Sequence, residues 1–105
     1  MKSHVLIYVT CDSDVQAGSI AHILIEEKFA ACANILPGAT SIYKWQDQIQ
    51  QEEEVILVLK TKASLFNKVQ EVIKELHSYE NPCIVALPIE SGSAEFLQWI
   101  DDNTI

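Results

Sequence analysis

Arginine is absent from this sequence, and cationic side chains are few. The chain carries 7 basic residues, all of them lysine, against 15 acidic residues, which gives a net charge of −8. Nucleic-acid-binding modules need a basic surface that displaces counterions from phosphates, and anionic membrane surfaces attract basic segments. The composition therefore excludes nucleic acids and membrane surfaces as partners.

Long apolar runs and the spacings of familiar motifs are also missing. The longest apolar stretches, Val5–Val9 and Val55–Leu59, fall far below the roughly 20 residues that span a bilayer. The segment Met1–His4 contains no signal-like stretch, so we predict a cytoplasmic chain. With 3 glycines and no catalytic motif, no enzymatic activity is predicted. Cys11, Cys32 and Cys83 are far apart in the sequence and form no C-x-x-C pair. Neither a zinc site of that type nor a disulfide framework is therefore predicted.

Apolar residues are plentiful, and their pattern predicts the fold. The chain has 105 residues, of which 49% are hydrophobic, enough for a single domain covering residues 1–105. The predicted order of elements is strand, helix, strand, strand, helix, strand and a short terminal helix. This order is the βαββαβ, split βαβ or ferredoxin-like arrangement of an α+β fold, with two helices on one face of an antiparallel sheet.

Local signals set the predicted boundaries of these elements. Ser13 and Gln16 form a capping box at the start of the first helix, whose apolar stripe runs to Lys28. Pro37-Gly38 indicates a bulge in the second strand because proline cannot donate to a ladder. Helical spacing predicts that the terminal helix contributes core residues, which are Phe96, Trp99 and Ile100.

The second and third strands are longer than a lone domain of this size requires. They run over about 13–16 residues on either side of a tip at Gln46–Gln48, so they would span more than ~40 Å. The radius of gyration expected for such a chain is about 13 Å. We therefore expect the distal hairpin to pair with a neighbour in a homo-oligomer, through Tyr43, Trp45 and Ile49. The alternative is that Pro37-Gly38 folds the strand back on itself.

Three residues at element boundaries carry metal-binding side chains. Cys32, His77 and Glu80 supply a thiol, an imidazole and a carboxylate, and copper and zinc accept thiolate and imidazole readily. We predict that these three side chains bind a metal ion. The alternatives are a buried structural cysteine at position 32 and a helix-terminal cation at position 77.

A second candidate feature is a cleft beside the third strand. Lys60 is expected to project into this cleft and pair with Glu52 or Glu54, although ordinary charge pairing on the strand is the preferred explanation. Tyr43 and Trp45 are interpreted as interface anchors rather than as a cage for a ligand.

A series of ordered motifs resembles the divalent-cation tolerance protein family, CutA. The resemblance covers essentially the whole chain. The matching segments are Ala31-Cys32-Ala33-Asn34-Ile35, Pro37, Ser41-x-Tyr43-x-Trp45, Glu54, Lys60-Thr61, His77-x-Tyr79-Glu80-x-Pro82, Ala86-Leu87-Pro88-Ile89 and Phe96-Leu97-x-Trp99-Ile100.

The resemblance implies a function that composition and spacing do not supply. It implies a ferredoxin-like homotrimer that binds metal ions, with copper (Cu²⁺) preferred over zinc, and that takes part in the response to metal ions. The shape is also similar to that of trimeric PII-type signalling proteins. That likeness suggests an alternative, a scaffold that binds a small anionic effector between subunits, at Trp45, Glu54, Lys60 and Tyr79.

Four positions depart from the family pattern, one of which is Phe96, where tyrosine is usual. Asp47 stands where glycine is usual, so strain is expected at the hairpin tip. Ser78 replaces a proline, and Cys83 replaces a glutamate, which substitutes a softer donor for a carboxylate.

Overall fold

The structure is a computed structural model that describes residues 3–105. Met1 and Lys2, which belong to the segment Met1–His4 discussed above, lie outside the described residues. The elements follow the predicted order. They are β1 (His4–Cys11), α1 (Asp14–Glu26), β2 (Cys32–Trp45), β3 (Gln48–Lys62), a 3₁₀ turn (Ala63–Leu65), α2 (Phe66–Leu76), β4 (Ile84–Pro88) and α3 (Ala94–Asp102).

The four strands form one antiparallel sheet in the order β2-β3-β1-β4. Successive side chains of a strand point to opposite faces, so each face has its own set of residues. Ile7, Leu57 and Leu59 lie on the face that packs against α1 and α2, and all three are fully buried. This arrangement confirms the α+β, ferredoxin-like prediction. No helix in residues 3–105 is long and apolar enough to cross a membrane.

The first helix begins as predicted but ends two residues early. The Ser13 hydroxyl accepts a hydrogen bond from the Gln16 amide at 3.1 Å, which caps the amino end. At the other end Lys28 has a φ of 62°, and its amide donates to the Ile25 carbonyl at 3.0 Å. The Phe29 amide donates to the Leu24 carbonyl, which completes a Schellman motif. Lys28 therefore terminates α1 instead of extending its apolar stripe.

The hairpin of β2 and β3 is continuous and projects from the core. The register shifts between Leu36 and Ala39, where Gly38 has a φ of 83°, so the predicted bulge is confirmed. Pairing resumes beyond the bulge as far as the Trp45–Gln48 pair, which shows that the strand does not fold back. The molecule is consequently elongated, with a longest axis of 45 Å.

The terminal helix packs differently from the prediction. Ile100 is fully buried, but Phe96 and Trp99 are each 42% exposed and stack on one another with ring centroids 5.5 Å apart. The helix lies against the sheet face opposite α1 and α2, because Asp101 contacts His4 at 2.8 Å. Only one of the three side chains predicted to be core reaches a closed interior, so the core assignment of Phe96 and Trp99 was wrong.

Candidate functional site

A groove of about 760 Å³ lies between the hairpin and the segment that joins α2 to β4. The hairpin forms its floor, and the segment 79–83 forms one wall. Side chains on alternate positions of β3 share this face, so Gln50, Glu52 and Glu54 all line it. The remaining lining residues are Thr10, Ser41, Ile42, Tyr43, Trp45, Tyr79, Glu80, Asn81 and Cys83.

Glu54 is the most enclosed acidic group in this groove. It is only 8% exposed, and one carboxylate oxygen accepts a hydrogen bond from the Tyr79 hydroxyl at 2.8 Å. Burial, this hydrogen bond and the negative charge of Glu54 raise the pKa of Tyr79 well above its usual range. Tyr79 therefore remains a neutral donor at physiological pH, so it holds the carboxylate in place without balancing its charge.

The rest of the groove is also acidic. Glu52 and Glu80 line it, whereas no lysine does so among residues 3–105. Burial and a hydrogen bond to Glu52 raise the pKa of Tyr43, and burial and the charge of Glu54 raise the pKa of Cys83. Negative charge with no cationic side chain beside it makes the groove complementary to a cation.

His77 supports the wall of the groove. Its Nε2 lies 2.7 Å from the Thr10 carbonyl oxygen, and its Nδ1 accepts a hydrogen bond from the Tyr79 amide at 3.1 Å. A neutral imidazole with its proton on Nε2 satisfies both contacts. The ring also packs against Tyr79, with centroids 4.7 Å apart. His77 thus orients Tyr79 toward Glu54, and coordination of a metal by His77 would require breaking one of these bonds.

Lys60 and Cys32 lie elsewhere on the sheet. They are cross-strand partners, with Lys60 Nζ 3.7 Å from Cys32 Sγ and 2.6 Å from Asn34 Oδ1. Six residues of strand separate Lys60 from Glu54, which corresponds to about 20 Å. The expected pairing of Lys60 with Glu52 or Glu54 is therefore not formed. Lys60 also does not join Trp45, Glu54 and Tyr79 in the groove of a single chain.

The predicted metal ligands do not converge within one chain. Of Cys32, His77 and Glu80, only Glu80 lines the groove. Across the described part of the chain, no three His, Cys, Asp or Glu side chains are placed to hold a metal ion together. The ligand set remains a prediction for the assembled protein.

The predicted interface residues occupy two faces of the hairpin. Tyr43 and Trp45 line the groove, whereas Ile49 projects from the opposite face. Sequence reasoning did not identify Cys83 as a groove residue, nor the hydrogen bond from Tyr79 to Glu54. Glu52 and Glu54 are two residues apart on one strand, and this spacing indicates that both side chains lie on the same face, which forms the floor of the groove. No local signal identifies the wall, because the β1–β4 register determines where segment 79–83 lies.

Comparison with known proteins establishes the family. The family model for CutA1 divalent ion tolerance protein matches residues 5–103. The divalent-cation tolerance protein CutA of Thermus thermophilus is 46% identical over 99 residues, covering 94% of this chain and 96% of that protein. Human protein CutA is 38% identical over 92% of this chain, which spans only 54% of the human protein.

A solved structure gives the same result for the fold. The structure described as the periplasmic divalent cation tolerance protein CutA from Archaeoglobus fulgidus superposes with a TM-score of 0.93 at 43% identity, covering 95% of this chain and 97% of that one. Agreement over nearly the full length extends to the long hairpin as well as the core. The chain belongs to the CutA1 divalent ion tolerance protein family.

Proposed function

We propose that the protein binds divalent metal cations, Cu²⁺ among them, and takes part in the response to metal ions as a homotrimer that catalyses no reaction. The single observation that carries the cation proposal is that the Glu54 carboxylate is buried and has only a neutral hydrogen-bond donor beside it. A carboxylate that is 8% exposed is costly unless a positive charge balances it, and its hydrogen-bond donor, Tyr79, is neutral. A bound cation would supply that charge.

Two further observations support this proposal. Glu52 and Glu80 line the same groove and add to its negative potential. Family membership independently connects the chain with tolerance of divalent ions. Copper is proposed over zinc because nitrogen, oxygen and sulfur donors bind Cu²⁺ more strongly than Zn²⁺.

The surface of the single chain supports self-association. The sheet face opposite α1 and α2 exposes large apolar side chains, and so does the distal hairpin. Contiguous exposed apolar surface of this kind is typical of association sites. The residues concerned on the sheet face are Tyr8, Leu36, Val85 and Leu87, and those on the hairpin are Ile42, Tyr43, Trp45 and Ile49.

Native mass spectrometry of the intact protein with and without Cu²⁺, with Zn²⁺ as comparator, tests both parts of the proposal. A species of three 11.8 kDa chains that takes up a defined number of copper ions supports it. Absence of specific copper uptake overturns the metal assignment, and a monomer overturns the trimer. The E52Q/E80Q variant should bind copper more weakly. Its control is E53Q, since Glu53 is exposed and lies outside the groove.

The same titration tests the predicted ligand set. The C32S variant loses copper affinity if another subunit brings Cys32 to the site, and retains it if Cys32 is only the partner of Lys60. The second outcome removes Cys32 from the metal site.

Anion binding at this groove has less support, because Lys60 is bound to Asn34 and the lining side chains are acidic or neutral. The predicted location, the cytoplasm, stays part of the proposal. The Archaeoglobus protein is described as periplasmic, and cell fractionation distinguishes the two compartments.

A further inference from the structure

We infer that the groove also binds organic cations that carry two or more ammonium groups, with carboxylates pairing the ammonium groups and aromatic rings contacting the chain between them. This inference rests on the proposed cation-binding character of the groove, and it assigns a second chemical class of ligand to it. It also gives Tyr43 and Trp45 a second role beside that of interface anchors, because both line the groove that contains the carboxylates.

The dimensions of the groove fit a small molecule. Its volume, about 760 Å³, lies within the range of about 300–1,000 Å³ that is usual for small-molecule sites. A bare metal ion needs several donor atoms within a few ångströms, and within a single chain no group of three acidic, cysteine or histidine side chains in residues 3–105 supplies them, so a metal site in the groove needs donors from another subunit. The groove of the single chain therefore has room for a cation larger than a metal ion.

The aromatic walls favour an organic cation. Tyr43, Trp45 and Tyr79 line the groove, and Tyr43 and Trp45 are substantially exposed in the single chain. Aromatic faces attract ammonium groups and pack against alkyl chains. The ring carbons themselves offer no donor atom to a metal ion. A ligand that is both cationic and partly apolar uses both kinds of lining side chain.

The number and spacing of the carboxylates indicate more than one positive charge. Glu52 and Glu54 are two residues apart on β3, which corresponds to about 6.7 Å along the strand. Glu80 lies on the wall formed by segment 79–83. A single ammonium group can pair with one of these carboxylates and leaves the others unbalanced, whereas a diamine or triamine can reach two or three. The ligand class is therefore a flexible aliphatic polyamine.

Titration calorimetry with spermidine and putrescine, using butylamine and Mg²⁺ as comparators, tests the inference on the intact protein. We expect spermidine to bind at least about tenfold more tightly than butylamine or Mg²⁺. The E52Q/E80Q variant should weaken spermidine binding by about tenfold, and the E53Q variant, which removes a charge outside the groove, by less than about twofold. In a W99F background, spermidine should change the fluorescence of Trp45.

Four outcomes would overturn the inference. Equal affinity for spermidine, butylamine and Mg²⁺ would show that the groove does not pair several ammonium groups at once. Equal losses in E52Q/E80Q and E53Q would show unspecific attraction to an acidic protein, which by itself favours the cation of highest charge. An unchanged Trp45 signal would place the ligand elsewhere. Copper uptake without any spermidine binding would reject the polyamine and leave the metal proposal intact. Conversely, spermidine binding without copper uptake supports the inference and rejects the proposed metal function alone.

Discussion

The two long strands of this protein have two halves with different surroundings. Next to β1 and under the helices, Leu57 and Leu59 are fully buried. Beyond the bulge, the same two strands continue as a ribbon on which Ile42 is 66% exposed and Ile49 is 76% exposed. A two-stranded ribbon alone is at best marginally stable in water. The proximal half is therefore stabilised by contacts within one chain, whereas the distal half makes few such contacts and would be stabilised by the neighbouring subunits of the proposed trimer.

The largest expected effect is in the proximal half. Leu57→Ala should lower the free energy of unfolding by about 2–5 kcal/mol, because it leaves a cavity among fully buried neighbours. The loss should be similar at every protein concentration, since the contacts are internal to the chain. Val15→Ala, at an exposed apolar position on α1, is the control and should change stability by less than about 0.5 kcal/mol. Denaturant unfolding measures both. A loss below about 1 kcal/mol for Leu57→Ala would contradict a closed core at this site.

In the distal half, the expected effect falls on assembly. Trp45→Ala should weaken subunit association by about 2 kcal/mol, as is typical of a buried aromatic anchor. The melting temperature should drop, and it should drop more at low protein concentration because unfolding of the proposed trimer is coupled to its dissociation. Calorimetry over a series of protein concentrations measures this effect. An unchanged trimer with an unchanged melting temperature would show that Trp45 contributes to the groove alone.

Alkaline pH should destabilise the proximal half. Burial and the nearby charges of Asp12 and Glu54 raise the pKa of Cys11 from 9.0 to about 11. Between these two values the folded chain retains a proton that the unfolded chain has lost, so stability is complete below pH 9 and falls as the pH rises toward 11. The loss is on the order of 3 kcal/mol.

Cys11→Ala should flatten this alkaline slope, whatever it costs in packing at neutral pH. Unfolding curves recorded at several values of pH on both sides of 9 measure the slope. Cys32→Ala is the comparator, because it leaves the buried thiol of Cys11 in place and should retain the slope of the unmodified protein. Identical slopes in Cys11→Ala and the unmodified protein would rule out Cys11 as the group responsible.

The proximal half is also the part that the sequence predicted best. Strands, helices and the cap at Ser13 follow from side-chain periodicity and from hydrogen bonds that span a few residues, as does the bulge at Pro37-Gly38. The end of α1 was misplaced because Lys28 adopts a positive φ in a Schellman motif that usually takes glycine. The periodicity of apolar side chains does not indicate this early end of α1.

The candidate site was harder to predict because its contacts are distant in sequence. Glu54 meets Tyr79 across 25 positions, and His77 meets Thr10 across 67. These meetings depend on which strands pair and in which register, and neither is encoded by a local pattern. The expected pairing of Lys60 with Glu52 or Glu54 was wrong for the same reason, since its partners on β2 are determined by the hairpin register. Phe96 and Trp99 have helical spacing that is typical of a core, but α3 covers only part of its sheet face.

The smallest expected effects compare two strained positions, one in each half of the molecule. Lys28 at the end of α1 and Asp47 at the hairpin tip have φ values of 62° and 63°, where a side chain is unfavourable and glycine is not. Lys28→Gly should stabilise the chain by about 1 kcal/mol, and Asp47→Gly by about 0.5 kcal/mol because aspartate tolerates this conformation better than lysine does.

The two variants should differ in where that gain appears. Lys28→Gly stabilises the proximal fold, so hydrogen exchange should slow throughout α1 and the central strands. Asp47→Gly stabilises only the turn, so exchange should slow at the distal hairpin and remain unchanged in the core. If Asp47→Gly slowed exchange in both halves equally, the hairpin and the core would unfold as one cooperative unit. In that case their different burial would not reflect different stability.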